Sequence, residues 1–202
     1  MVQLMVKIAS WGAMLAAIAA LAACKESPQH RLVSAALHGD VAGVRTALTA
    51  KVSVNAYDRG ETALLMASEF CHPDVVGVLI AAGADVNARS SDSRHRGLDG
   101  ETPLIEAAGA DQGGCPDAVR ALIAAGANVN AHQSDGSTAL DAAADEGGLE
   151  VAQLLVAAGA DVNGASSGNT PLYLTTGTSP AGASPSGRAA VAQLLRAHGG
   201  HV

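Results

Sequence analysis

One five-residue phrase recurs three times almost unchanged, and it constrains the fold more than any other feature. It reads Gly83-Ala84-Asp85-Val86-Asn87, then Gly126-Ala127-Asn128-Val129-Asn130, then Gly159-Ala160-Asp161-Val162-Asn163. What precedes the third copy shows the unit it closes. Leu140, Ala143 and Ala144 fall at i, i+3 and i+4, and after Gly147-Gly148 so do Val151, Leu154 and Leu155. Each set makes one apolar face of a short helix. Gly159 then stands where a helix ends and the backbone turns left-handed. Variants of the unit cover residues 64–87 and 104–130, and weaker ones cover 32–55 and 172–199. Thr62 to Gly83 is 21 positions, and so is Thr138 to Gly159. A period of about 33 residues marks a repeat array. Such an array divides its core into thin layers between neighbouring units and needs no large aromatic centre. The chain's 49% apolar and 2% aromatic content fits that arrangement.

The start of each unit carries a resemblance. Gly60-Glu61-Thr62-Ala63-Leu64, Gly100-Glu101-Thr102-Pro103-Leu104, Gly136-Ser137-Thr138-Ala139-Leu140 and Asn169-Thr170-Pro171-Leu172 each precede the closing phrase or a relic of it. This pattern resembles the ankyrin repeat family over roughly residues 30–200. The resemblance implies an all-α solenoid of about five helix-turn-helix repeats with short β-turn fingers. The expected repeats are approximately 30–57, 58–89, 98–131, 132–164 and 165–202. The family's usual His after Thr-Pro-Leu is absent, and Leu65, Ile105, Asp141 and Tyr173 hold that slot. Thr62, Thr102, Thr138 and Thr170 are placed to cap the first helix of their repeats, and Pro103 and Pro171 to open it. Extra residues lie in 90–97, with Arg94, His95 and Arg96, around Gln112-Gly113-Gly114, and in the Gly/Ser/Pro-rich stretch 177–187. That last composition reads as a mobile loop, followed by a closing helix over residues 188–197 and a trailing His198-Gly199-Gly200-His201.

Residues 1–23 read as a signal peptide outside the fold. Lys7 supplies the positive region, residues 8–20 an apolar run too short to span a bilayer comfortably. The run ends in Leu21-Ala22-Ala23-Cys24, which looks like the lipobox of bacterial lipoproteins. In that family the Cys thiol is acylated and cleavage precedes it. The alternatives are an ordinary secretory signal with a chance cysteine and an uncleaved anchor. Lipidation at Cys24 leaves residues 24–29 as a tether to the bilayer and 30–202 as the repeat domain. Lys25, in place of the Asp that retains enterobacterial lipoproteins in the inner membrane, favours the outer membrane of a bacterial envelope, facing the periplasm.

Candidate chemistry is sparse. Gly164-Ala165-Ser166-Ser167-Gly168 matches the hydrolase pattern G-x-S-x-G, but that motif needs a strand before the Ser and a helix straight after. Ser166 sits at a repeat boundary instead, so a serine hydrolase is the weaker alternative. Cys71, His72 and Cys115 offer three metal ligands without the spacing of a metal motif. A Cys71–Cys115 disulfide is the better use in an oxidising compartment, with two unpaired thiols as the remaining option. No enzyme activity, cofactor or metal is expected.

The net charge of −7 argues against nucleic acid as a partner and is compatible with a basic protein. In the ankyrin family, variable binding residues lie at the finger tips and on the inner side of the first helix. The matching positions are Arg59, Glu61, Glu69 and Phe70, then Asp99 and Glu101, then Ser134, Asp135, Ser137, Asp145 and Glu146. Most of the charged ones are acidic. They are either solvated charges on a helical array or an acidic concave surface for a basic segment of another protein. The leading expectation is therefore a monomeric, membrane-anchored periplasmic module that binds a protein, with an immunity or protective factor as its narrower form. A purely structural envelope lipoprotein is the other alternative.

Overall fold

The computed structural model describes residues 27–91, 100–164, 169–176 and 184–201. The described residues form ten helices and no named strand. They pair into five repeats: α1 (Pro28–Leu37) with α2 (Val41–Thr49), α3 (Ala63–Glu69) with α4 (Pro73–Ala81), α5 (Pro103–Gly109) with α6 (Pro116–Ala124), α7 (Ala139–Glu146) with α8 (Leu149–Ala157), and α9 (Pro171–Leu174) with α10 (Pro185–Ala197). First helices stack on first helices and second on second, each repeat against the next. This is the all-α solenoid expected from the repeat pattern.

The helices start where the chain supplies both a cap and a pre-set backbone. The hydroxyls of Thr62, Thr102, Thr138 and Thr170 accept hydrogen bonds from the N–H groups of Leu65, Ile105, Asp141 and Tyr173 at 3.3, 3.4, 3.3 and 3.3 Å. Each satisfies a donor that the first turn would leave orphaned. Six of the ten helices open with Pro, where the missing N–H costs no bond. The core is aliphatic and layered. Leu32, Leu64, Leu79, Leu104, Leu122, Leu140, Leu155 and Leu195 are fully buried, with Ala36, Ala67, Ala107, Ala108, Ala143 and Ala144 between them. Small side chains at these positions let short helices approach closely.

The near-invariance of the Gly-Ala-Asp-Val-Asn phrase has a hydrogen-bonding cause. The side-chain oxygens of Asn55, Asn87, Asn130 and Asn163 accept from the backbone N–H of Asp85, Asn128, Asp161 and His201 in the following repeat, at 2.8, 2.8, 2.8 and 3.0 Å. The amides of Asn130 and Asn163 also donate to the carbonyls of Gly159 and Gly199, both at 3.2 Å. Each phrase thus clamps the next, and its Asp or Asn also accepts from the N–H two residues on, as Asp85 does from Asn87 at 2.9 Å. Gly83, Gly126 and Gly159 have φ of +85°, +88° and +91°, which L side chains rarely adopt. In the first repeat Lys51 holds this place at φ +59°.

A second row of contacts joins the connections between paired helices. The structure bonds Cys71 to Cys115, with Cα atoms 5.4 Å apart. Gly113 then lies against Gly148, and Gly147 against Gly187. A side chain on Gly148, Gly147 or Gly187 would collide with the neighbouring backbone. At the other end the imidazole Nε2 of His72 is 3.0 Å from the Leu37 carbonyl. The connections of repeats one to four and the first turn of α10 are therefore linked in series.

Two expectations need correction here. The closing helix begins at Pro185, not near residue 188, because Ser184 caps it and Gly187 has no side chain to hold it off Gly147. Residues 185–187 belong to a packed helix, whereas 177–183 lie outside the described residues. The trailing segment is also tied down. His201 N–H donates to Asn163, and its carbonyl accepts from the Thr170 hydroxyl at 2.8 Å.

Candidate functional site

Three successive first helices, α5, α7 and α9, enclose a cavity of about 270 Å³ with the turns that precede them. Its wall carries Glu101, Glu106, Asp135, Asp141 and Asp145, with Gln133, Ser137, Thr138 and Asn169 as neutral polar groups and Ile105, Ala142 and Leu174 as apolar ones. A second cavity of about 360 Å³ adjoins it towards the second repeat. That one is lined by Glu69, Phe70, Cys71, Glu101, Glu106, Asp111 and Gln112, among others. Glu101, Glu106 and Gly109 belong to both, so the two form one trough. Among the described lining residues of the trough none is basic.

The electrostatics of the trough show how tightly its acids are gathered. Burial pushes the pKa of Glu106 up from 4.5 to about 9, helped by the charge of Glu101 and a hydrogen bond with it, then by the charges of Glu69 and Glu61. Like charges around one buried carboxyl make its ionisation unfavourable, so it stays protonated at neutral pH. Burial likewise raises Asp141 from 3.8 to about 6, against the hydrogen bonds from Thr138. Those bonds run from the Thr138 N–H and hydroxyl to one Asp141 oxygen at 2.9 and 3.0 Å. Together with the Thr138 cap they form a reciprocal capping box. In this repeat, then, Asp141 bonds to Thr from the slot where the family usually has His. Burial works against the Asp135 carboxylate too, but hydrogen bonds from Ser137 and Gln133 outweigh it and hold its pKa below the ordinary value.

The residues expected at the binding surface do not all share one environment. Arg59 and Phe70 are exposed, Phe70 at 46%. Glu69, Asp135, Ser137 and Asp145 are half-buried on the wall of the trough. Glu61, Glu101 and Glu146 are 6%, 5% and 9% exposed, so they are not simply solvated surface charges. Ser134 is exposed and lines a neighbouring depression at the finger tips, with Arg89 and His132, that shares Gln133 and Asp135 with the first cavity. Asp99, like Arg94, His95 and Arg96, lies outside the described residues. The sequence reading missed Glu106, Gln133 and Asp141 as wall residues. The available signal was the substituted His slot itself, which Asp141 occupies and which Glu106 directly follows in repeat three.

Family comparison matches residues 90–166 to a model described as ankyrin repeats in three copies, and residues 59–91 to one described as an ankyrin repeat. Together they span just over half of the chain. The chain belongs to the ankyrin repeat family. Ankyrin repeats are modules for binding other proteins and are typically not enzymes, and no catalytic family is indicated. No curated protein matches the chain. In ankyrin terms, the trough runs across the first helices of repeats two to five, the side that the resemblance assigned to partner binding. The hydrolase candidate Ser166 lies outside the described residues. Cys71 and Cys115 are joined to each other, and His72 bonds to repeat one, so these three residues hold repeats together.

Proposed function

We propose that this ankyrin array is a membrane-anchored periplasmic module that binds a basic segment of another protein along its acidic trough. The observation that carries the reading is the run of carboxylates Glu69, Glu101, Glu106, Asp111, Asp135, Asp141 and Asp145 on two adjoining cavities. Burial first, and then the charges of Glu101, Glu69 and Glu61, keep Glu106 protonated, and a cationic partner relieves the repulsion among them. Gathered charge of one sign also speeds encounter with an oppositely charged partner, at a rate that falls with salt. The envelope location is supported by the apolar run ending in Leu21-Ala22-Ala23-Cys24 and by the Cys71–Cys115 bond, which suits an oxidising compartment. Lys25 favours the outer membrane, and the narrower form of the proposal is a factor that holds a toxin or enzyme in the periplasm.

Reversing Glu69, Asp111 and Asp145 to Lys tests the surface, because all three line the trough without being fully buried. Affinity for a partner recovered by crosslinking from envelope extract should fall at least tenfold, with helical content unchanged. Wild-type affinity should weaken as salt rises. Binding indifferent to both would reduce the acids to solvated charges. For the anchor, Cys24→Ala should abolish incorporation of labelled fatty acid and processing at this site. Labelling that persists without Cys24 rules the lipoprotein assignment out.

A further inference from the structure

We infer that the cavity between α5, α7 and α9 is a receptor for one guanidinium group, the side chain of an arginine in the partner's segment. The inference rests on the basic-partner reading above and specifies its anchoring contact. Three polar side chains on the cavity wall are more than nine-tenths buried: Asp141 at 2% exposure, Glu101 at 5% and Gln133 at 8%. Two of them, Asp141 and Gln133, have a buried oxygen, Oδ1 and Oε1 respectively, with no hydrogen-bond donor. The other Asp141 oxygen takes both Thr138 donors, and the Gln133 side chain also bonds Asp135. The two orphaned atoms come from different elements, one from α7 and one from the turn before it. Native chains rarely leave such groups unmet, because a desolvated acceptor without a donor is costly.

Both unmet atoms are acceptors, so the ligand that completes the site is a donor. The surrounding Glu101, Asp135 and Asp145 ask for positive charge as well. A metal ion would need several converging ligands, and among the described residues no three acidic, His or Cys side chains gather closely enough to hold one. That leaves an organic cation. An ammonium is a compact, strongly hydrated point charge, whereas a guanidinium is planar, weakly hydrated and presents five N–H donors in a fixed fork. The wall suits the second. Ile105, Ala142 and Leu174 offer an apolar surface for a flat face and an aliphatic stem, beside acceptors on two elements. A volume of about 270 Å³ admits the group and part of its stem.

The probe is N-acetyl-arginine N-methylamide, titrated into the full chain and followed by backbone amide NMR shifts. Saturable shifts are expected at Gln133, Ser137, Thr138 and Asp141. The lysine analogue should bind several-fold more weakly, and the citrulline analogue, equal in shape but uncharged, at least tenfold more weakly. Gln133→Leu and Asp141→Asn should each weaken arginine binding at least fivefold, with melting temperature measured alongside. Citrulline binding as well as arginine overturns the inference, and so do shifts of equal size around the exposed Asp117 and Glu150. The wild-type titration decides even if a variant unfolds. A partner that loses affinity on reversal of Glu69, Asp111 and Asp145 but ignores Gln133→Leu also rejects the pocket, leaving the acidic-trough reading intact. Saturable arginine binding at this cavity, with no partner affinity that responds to the reversals, rejects the trough reading and keeps the pocket.

Discussion

Cys71→Ser, or reduction of the wild-type chain, is expected to lower the melting temperature by roughly 5–15 °C. The bond closes a segment with a sequence separation of 44 residues. By the chain-entropy model, a loop of that length stabilises the folded state by about 4 kcal/mol at most. The loss should be large here because the bond joins repeats two and three, the middle of a series in which each repeat contacts only its neighbours. The insertion before Cys115 makes the closure possible. Gln112, Gly113 and Gly114 all adopt positive φ, at +65°, +100° and +82°, and fold the extra residues back on α5. Cys115 N–H then donates to the Ala107 carbonyl at 2.7 Å. A Cβ on Gly114 would come within 2.7 Å of the Ala108 carbonyl, so glycine is required there on steric as well as dihedral grounds. Thermal melts with and without reductant check the prediction. Reductant should lower the wild-type transition to that of Cys71→Ser and leave the variant unmoved. Identical melts for reduced and oxidised wild type would mean that the bond adds nothing to stability.

The repeat register, the capping threonines and the opening prolines were legible because each is a local rule. A Thr three residues before a needy N–H and a Pro at the first helical position depend on nothing distant. The Cys71–Cys115 pairing was only partly legible, since an oxidising compartment favours a bond between two thiols but does not by itself bring them together. What the sequence withheld was the environment of the acids. Glu61 and Glu101 precede Thr in successive repeats and read as finger-tip charges, yet they are 6% and 5% exposed. Their burial comes from stacking one repeat on the next, which no single repeat reveals. Gln133 and Asp141 were invisible for the same reason, as each becomes a wall residue only when α5, α7 and α9 sit side by side. The contact of Gly187 with Gly147 was likewise hidden. Composition marked residues 185–187 as loop, whereas the glycine there serves to bring α10 onto the connection between α7 and α8.

Glu106→Gln is expected to stabilise the fold at pH 8 by about 2 kcal/mol or more, and to flatten its dependence on pH. The carboxyl is raised from 4.5 to about 9 in the folded chain, by burial first and then by Glu101, Glu69 and Glu61. Below about pH 4.5 it is protonated in both the folded and unfolded states, so it contributes no pH dependence. As pH rises from there to about 9, the unfolded chain gives up the proton while the folded chain keeps it. Folding then requires proton uptake, and stability falls across that whole window before levelling off. Each pKa unit of difference corresponds to about 1.4 kcal/mol, which makes several units an upper limit and a smaller measured gain the expectation. Asp141 adds a weaker slope of the same sign between 3.8 and about 6. Glutamine keeps the shape and the donor towards Glu101 but has no proton to lose. Melting curves of wild type and Glu106→Gln from pH 5 to pH 9 should therefore converge at the acid end and separate progressively above it. Binding supplies an independent readout. A cation seated in the trough favours the ionised carboxyl, so association near pH 8 should release protons, seen as a dependence of the binding heat on buffer ionisation enthalpy. That release should shrink in Glu106→Gln. Parallel melting curves across the range, together with unchanged proton release, would mean that Glu106 is ionised at neutral pH and that the acids of the trough are not gathered tightly enough to hold one another's protons.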